Sequence, residues 1–318
     1  MARLFALLLL SLASAAWAQS YPNRPVRLVV PLGPGAPDTV ARLLAAALQA
    51  QMGQPFVVEN KPGANGIIGT QALTSAAPDG YTLLVTSTSI VVNPSTQKSL
   101  PYDLAKDITP VTNIATGEAL ILGVNAALPV KSVQELIALS KQPASRLSYG
   151  SPGVGNTLHL ATELFKARTG AQMEHVPYKG AGPAIAALIA GEIQVMIMTP
   201  PLSMPHIRSG RIRPLAYTHT SRAAFLPDVP TMREAGVQGM EVDGGWYGLF
   251  APAGTPAAIV ERLQAETRKA ASDPKVRERF EALALHPLGD PPAEFRKFFY
   301  EQIKAYAEMV RIAGIQPE

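Results

Sequence analysis

Three short glycine-rich loops hold the residue types best suited to chemistry: Gly33-Pro34-Gly35-Ala36-Pro37-Asp38, Ser151-Pro152-Gly153-Val154-Gly155-Asn156-Thr157 and Tyr178-Lys179-Gly180-Ala181-Gly182-Pro183. Each lies between a β-like run and the start of a helical pattern. A helix N-terminus presents unpaired backbone N–H groups and a partial positive charge, and glycine lets an anion come close to them. The chemistry these loops support is the holding of a carboxylate or phosphate. A tight strand-to-helix turn explains any one of them equally well, but three in one chain favour a small-anion site.

Hydroxyls near strand ends, at Ser87, Thr88, Ser89, Ser151 and Thr157, add donors for ligand oxygens, although caps and turns account for most such residues singly. Trp246, preceded by Gly244 and Gly245, is either the floor of a cleft or a core aromatic. The glycine loops miss the dinucleotide fingerprint and no Gly-x-x-x-x-Gly-Lys-Ser/Thr occurs, which disfavours nucleotides. There is no Gly-x-Ser-x-Gly elbow and no cysteine, and Glu163 and Glu174 form no evident acid–base pair. The histidines (His159, His175, His206, His219, His286) lack metal-ligand spacing and read as packing or surface residues. Catalytic residues, metal ligands and cofactors are therefore not expected.

The elements that must position these loops alternate in type. Val26–Val30 is a short β-branched run, and Asp38–Met52 places Val40, Leu43, Leu44, Ala47 and Leu48 on one helical face. Asp38 is the expected N-cap and Gly53 the expected C-terminal stop. Phe56–Glu59 then closes a right-handed βαβ unit. A helical stretch from Gly66 to about Ala77 and a strand Tyr81–Val85 continue the alternation, which predicts a largely parallel sheet with ligands beyond the carboxyl ends of its strands.

A second set begins at Ala119–Val124. Ser132 and Glu135 have capping-box spacing, Leu147–Gly150 leads into the second glycine loop, and a helix over Thr157–Arg168 ends at Gly170. A short strand at 174–176, a helix to Ala190 with Gly191 as its cap, and strands Ile193–Met198 and Arg213–Tyr217 follow. Beyond a strand at Tyr247–Phe250, Thr255-Pro256 and Asp273-Pro274 each announce a helix start. The last helix carries Phe295, Phe298, Phe299, Ile303, Tyr306 and Val310 at core spacing.

The 318 residues are enough for two α/β domains. Met1-Ala2-Arg3, an apolar run from Leu4 to Leu12, and Ala16-Trp17-Ala18 form a secretory signal peptide over residues 1–18. Its apolar core falls short of the roughly 20 residues that span a bilayer, so an exported, soluble protein is expected. The net charge of +4 is mild and the basic residues are scattered, which argues against nucleic acid as a partner.

Read together, these motifs carry a resemblance over nearly the whole mature chain. Tyr21-Pro22 with Arg24-Pro25-Val26, Val30-Pro31 to Asp38, Glu59-Asn60 with Pro62-Gly63-Ala64, Pro78-Asp79-Gly80-Tyr81-Thr82 and Tyr149-Gly150-Ser151 recur in sequence order. They are followed by Val176-Pro177-Tyr178-Lys179-Gly180, Leu226-Pro227-Asp228-Val229-Pro230-Thr231 and Ala251-Pro252-Ala253-Gly254-Thr255-Pro256. The chain resembles the Bug family, the TctC-type solute-binding proteins of tripartite tricarboxylate transporters.

The resemblance implies a periplasmic-binding-protein type II fold, with two α/β lobes of mostly parallel sheets joined by two crossovers. Lobe 1 would comprise 20–122 and 248–318, and lobe 2 would comprise 123–247. It implies a periplasmic monomer that closes on a small carboxylate and delivers it to permease subunits. A sensor acting on a membrane kinase and, further off, a secreted enzyme acting on a small anion are the alternatives. Carried over by position, the ligand-binding candidates are Leu32, Gly33, Gly35, Ala36 and Asp38, with Ser151, Gly153, Gly155, Asn156 and Thr157, and the strand-end hydroxyl of Ser87 joins them from the reading above. Tyr178, Lys179 and Gly180 would border the cleft, with Trp246 beside it. The first two loops are expected as facing jaws. Pro37 departs from the family pattern by removing an amide N–H, and Thr199 stands where some members carry an acid.

Overall fold

A computed structural model describes residues 21–117 and 119–317. The expected leader lies outside the described residues. The chain builds two mixed sheets. β1 (Val26–Val30), α1 (Ala36–Met52) and β2 (Phe56–Asn60) form the expected parallel unit, with Val26 opposite Phe56. Four of the five β1 residues are fully buried, as a strand covered on both faces requires. A 3-10 turn at Ala64–Gly66, α2 (Ile67–Thr74), β3 (Thr82–Ser87) and α3 (Ser89–Thr96) follow, and β3 lies parallel to β1. β4 (Ile108–Gly117) leads to the crossing.

The second sheet starts at β5 (Ile121–Asn125) and takes in β6 (Ser148–Ser151), β7 (Glu174–Pro177), β8 (Val195–Met198) and β9 (Ile212–Tyr217). Between these strands run α4 (Val133–Ser140), α5 (Thr157–Thr169), α6 (Ala181–Ala190) and α7 (Pro200–Arg208). The chain returns to the first sheet at β10 (Trp246–Pro252) and ends in α8 (Ala257–Ser272), α9 (Pro274–Glu281), β11 (Leu285–Pro287) and α10 (Pro292–Ile312). The first sheet has the order β11-β4-β10-β3-β1-β2 and the second β7-β6-β8-β5-β9.

The mixed α/β character is as expected, but parallel pairing is confined to β2-β1-β3 and β7-β6-β8. The returning strand β10 pairs antiparallel with both β3 and β4, and β5 pairs antiparallel with β8 and β9. The two crossings cause this, because a strand arriving directly from the other sheet enters without a helical crossover. β4 escaped the sequence reading because Pro110 and interspersed Thr residues mimic a loop. Pro110 is accommodated opposite Phe250 next to a register shift.

Local signals agree with the structure at Ser132, whose hydroxyl accepts from the Glu135 amide at 3.1 Å, and at Asp273, which caps the Lys275 and Val276 amides. Gly53, Gly170 and Gly191 end their helices in the left-handed region. Two expected caps shift. α1 starts at Ala36 with Gly35 as its N-cap, so Asp38 sits within the first turn and pairs with Arg42 at 2.9 Å. Pro37 holds φ in the helical range one residue before Asp38, which draws the helix start forward. α8 starts at Ala257 rather than Pro256, and the Thr255 hydroxyl donates to the Pro252 carbonyl at 2.8 Å instead of capping the helix.

Core residues cover both faces of the first sheet. α1 and α8 bury Val40, Leu44, Leu48 and Leu263 on one face, while Trp246, Phe250, Phe295 and Phe299 pack on the other. Leu160 of α5 joins this second group, so the C-terminal helix α10 also touches the half built on the second sheet. Among the described residues no helix is long and apolar enough to cross a membrane.

Candidate functional site

Five helix starts converge on one cavity of about 50 Å³ between the two sheets. Gly35-Ala36 opens α1, Thr88-Ser89 opens α3, Asn156-Thr157 opens α5, Gly180-Ala181 opens α6 and Thr199 precedes α7, and all of them line it. Each follows a strand end, so the alternation of β and α places the amide-bearing ends of the helices on the same side. Among the described residues, no Lys, Arg or His side chain lines this cavity, and Asp243 is its one charged side chain. Any positive partial charge there comes from backbone dipoles, set against the Asp243 carboxylate, and the donors are amides and hydroxyls.

The loop at Gly33 and the loop at Gly180 touch. A Cβ on Gly33 would collide with the Lys179 carbonyl oxygen, and one on Gly180 would lie 3.2 Å from the Gly33 Cα. The Gly182 amide donates across the same gap to the Pro34 carbonyl at 3.1 Å. Deeper in the cleft, the Asn156 side-chain amide donates to Ser89 Oγ at 2.8 Å, with both residues buried, while its oxygen caps the Leu158 amide at 3.0 Å. Ser89 and Thr157 hydroxyls lie 3.5 Å apart. These contacts join elements of the first sheet to elements of the second.

Nine sequence candidates line the cavity: Leu32, Gly33, Gly35, Ala36, Ser87, Asn156, Thr157, Gly180 and Trp246. A second hollow of about 300 Å³, on the far side of the Gly33–Gly180 contact, takes Gly153, Tyr178 and Lys179 with Asn65 and Gln97. Asp38, Ser151 and Gly155 line neither. Asp38 is occupied by Arg42, Ser151 Oγ faces His175 Nε2 at 2.6 Å, and the Gly155 amide donates to His159 Nδ1 at 3.2 Å. The first loop meets the Lys179 loop directly, and the second loop contributes Pro152, Asn156 and Thr157 to the cavity, with Gly155 turning the chain before the last two in a left-handed conformation (φ 71°).

Trp246 satisfies both readings. It lines the cavity, yet is only 2% exposed and packs edge-on against Phe295 at 5.7 Å, with its indole N–H donating to Gln302 at 3.3 Å. Its backbone amide donates to Thr88 Oγ1 at 2.9 Å, tying the returning strand to α3. Pro37 also lines the cavity, so one position of the α1 start offers no amide N–H. Sequence reasoning missed Asp243 and Tyr306. Both arrive from distant segments, the second crossing and α10, and carry no local motif. Burial pushes the Tyr306 hydroxyl above its ordinary range and keeps it neutral beside Thr88.

Comparison with known proteins agrees with this geometry. The family profile described as "Tripartite tricarboxylate transporter family receptor" matches residues 40–315. The chain belongs to that family. BugT of Bordetella pertussis is 38% identical over 306 residues, covering 95% of this chain and 93% of BugT. The R. palustris protein Rpa4515, solved with adipate, superposes with a TM-score of 0.90 at 36% identity, covering 94% of this chain and all of that one. MatC from Rhodopseudomonas palustris, solved with bound malate, gives a TM-score of 0.84 at 31% identity, with 91% and 100% coverage. The fold is the type II fold of periplasmic binding proteins, and the chain is a TctC-type solute-binding receptor, not an enzyme.

Proposed function

We propose that this TctC-type receptor captures a small carboxylated organic solute between two lobes by hinge closure and presents it to the membrane permease of a tripartite transporter. The observation that carries this reading is the convergence of five helix starts on a cavity without a basic side chain among the described residues. A carboxylate there gains charge-assisted hydrogen bonds from groups already fixed by the fold. We assign it to the amides of Gly33, Gly35, Ala36 and Thr157 and to the hydroxyls of Ser87, Ser89 and Thr157. The lobes are taken as 20–122 with 248–318, and 123–247.

Closure then follows from linkage. A solute that touches both lobes binds the closed form better than the open one and shifts the population toward it. The contacts from Gly182 to Pro34 and from Asn156 to Ser89 belong to that closed form. Adipate and malate in the two relatives support a carboxylate as the solute class. The signal sequence supports a periplasmic site of action.

A thermal-shift screen of residues 19–318 against mono-, di- and tricarboxylates, amino acids and phosphorylated compounds tests the reading. A ligand at 100 times its dissociation constant stabilises by about 2.7 kcal/mol, and recovery of the unchanged compound separates binding from turnover. If only cationic or neutral solutes raise the melting temperature, the carboxylate assignment is wrong. Crosslinking the loaded receptor in membranes decides between permease subunits and a sensor kinase.

A further inference from the structure

Beneath the second glycine loop lies a stack of titratable side chains that line neither hollow. His159 on α5 and His175 on β7 stack with ring centroids 4.0 Å apart, and Tyr149 of β6 stacks on His175 at 4.9 Å. The Tyr149 hydroxyl donates to Glu163, whose carboxylate also holds Lys166 at 2.7 Å. Besides each other, the two histidines face Tyr149 from β6 and Glu163 and Lys166 from α5. His159 itself is 7% exposed.

Two hydrogen bonds run from the stack into the loop. Ser151 Oγ lies 2.6 Å from His175 Nε2, and the Gly155 amide donates to His159 Nδ1 at 3.2 Å. The second bond fixes a protonation state. An imidazole nitrogen that accepts from an amide carries no proton, so His159 is neutral with its proton on Nε2. Protonating Nδ1 would set two donors against each other. The bond also anchors the turn in which Gly155 adopts φ 71° and Asn156 and Thr157 point to the cavity and to Ser89.

We propose that His159 is a positioning residue for solute capture: its unprotonated Nδ1 holds the Gly153–Thr157 turn in the binding form, and acid loosens that turn and weakens binding. The proposal rests on the capture reading above. Burial pushes the pKa of both histidines down, that of His175 to about 4. Two adjacent imidazolium rings would also repel each other, so the first protonation hinders the second. The stack therefore stays neutral at neutral pH and titrates only in an acidic medium.

The test uses the mature wild-type chain with adipate as the probe, together with His159→Asn and His159→Leu. In the first variant the asparagine side-chain oxygen replaces Nδ1 as an acceptor and does not titrate. In the wild type, the Gly155 amide is strongly protected from hydrogen exchange at pH 7.5 and its protection factor, referred to the intrinsic rate at each pH, falls as His159 titrates, and adipate affinity falls up to about tenfold per pH unit below that point. His159→Asn binds adipate at pH 7.5 and lacks this extra loss, with protonation of adipate itself cancelling in the ratio to wild type. His159→Leu binds weakly at both ends of the range. A Gly155 amide equally protected at pH 7.5 and 4.5, or a His159→Asn variant with the wild-type pH profile, overturns the proposal. Amide exchange decides the loop question whether or not adipate binds, so a chain that fails only to bind adipate counts against the capture reading alone.

Discussion

Gly33 is where a single methyl group decides whether the two halves can meet. Its Cβ would lie 2.3 Å from the Lys179 carbonyl oxygen, and backbone cannot yield as a flexible side chain does. Gly33→Ala should leave each half folded but cost the proposed closed form about 1–3 kcal/mol, roughly five- to 150-fold in carboxylate affinity. Calorimetric titration beside a thermal melt of the ligand-free protein checks this. The histidine stack gives a second expectation at this scale. His159 and His175 have depressed pKa values in the folded protein, so the unfolded chain takes up protons first as the pH falls. Stability should be greatest above the ordinary histidine value of about 6.5, decline between there and about 4, and cease to change through these groups below that. Melting temperatures across this window, with His175→Gln flattening the slope, test the sign.

At the scale of elements, helix starts do the work, and not all are equal. α7 has Pro200 and Pro201 in its first two positions and α1 has Pro37 in its second. Those positions supply partial charge but no N–H, so on the proposed reading donation from helix starts falls to the amides of Gly35, Ala36 and Thr157. Restoring one amide by Pro37→Ser should tighten carboxylate binding by a factor set by one charge-assisted hydrogen bond, about 1 kcal/mol or fivefold. A titration with the best ligand of the screen would show the gain, and weaker binding would mean that the proline ring itself packs against the solute. The caps away from the cleft act on stability alone. Asp273→Ala removes the acceptor for two amides of α9 and should cost about 1 kcal/mol in a denaturant melt with affinity unchanged.

For the whole molecule, the question is how two sheets are joined in one receptor. Each crossing passes through glycine, Gly117 in the first and Gly244 and Gly245 in the second. The Gly117 amide donates to the Gly245 carbonyl at 2.8 Å, and a Cβ on Gly244 would lie 2.7 Å from the Gly117 carbonyl carbon. The two strands therefore touch backbone to backbone at the point where the chain changes sheets, a geometry suited to a hinge. α10 spans the same border, with Tyr306 lining the cavity and Phe295 and Phe299 in the core that includes Leu160. Small-angle scattering should record a smaller radius of gyration on adding ligand to the wild type. Gly244→Ala, which wedges the crossings apart, should reduce that compaction and lower the melting temperature.

Sequence by itself determined the βα units, the glycine stops at Gly53, Gly170 and Gly191, the Ser132 and Asp273 caps and the three loops that approach the cleft. Each of these is a local matter of periodicity, φ preference or a hydrogen bond spanning a few residues, and the family resemblance rested on the same local motifs. Tertiary structure decided what the loops face. Gly180 opposes Gly33 because two sheets meet there, and Gly153 turns outward to a second hollow. Ser151 and Gly155 look inward to His175 and His159, two rings that share neither a motif nor a period in the sequence and meet only because α5 packs against β7. Asp243, Tyr306 and the antiparallel return of β10 were equally invisible, since they depend on contacts between segments far apart in the chain. Such contacts are selected by burial and shape across the whole fold, and no window of sequence contains them.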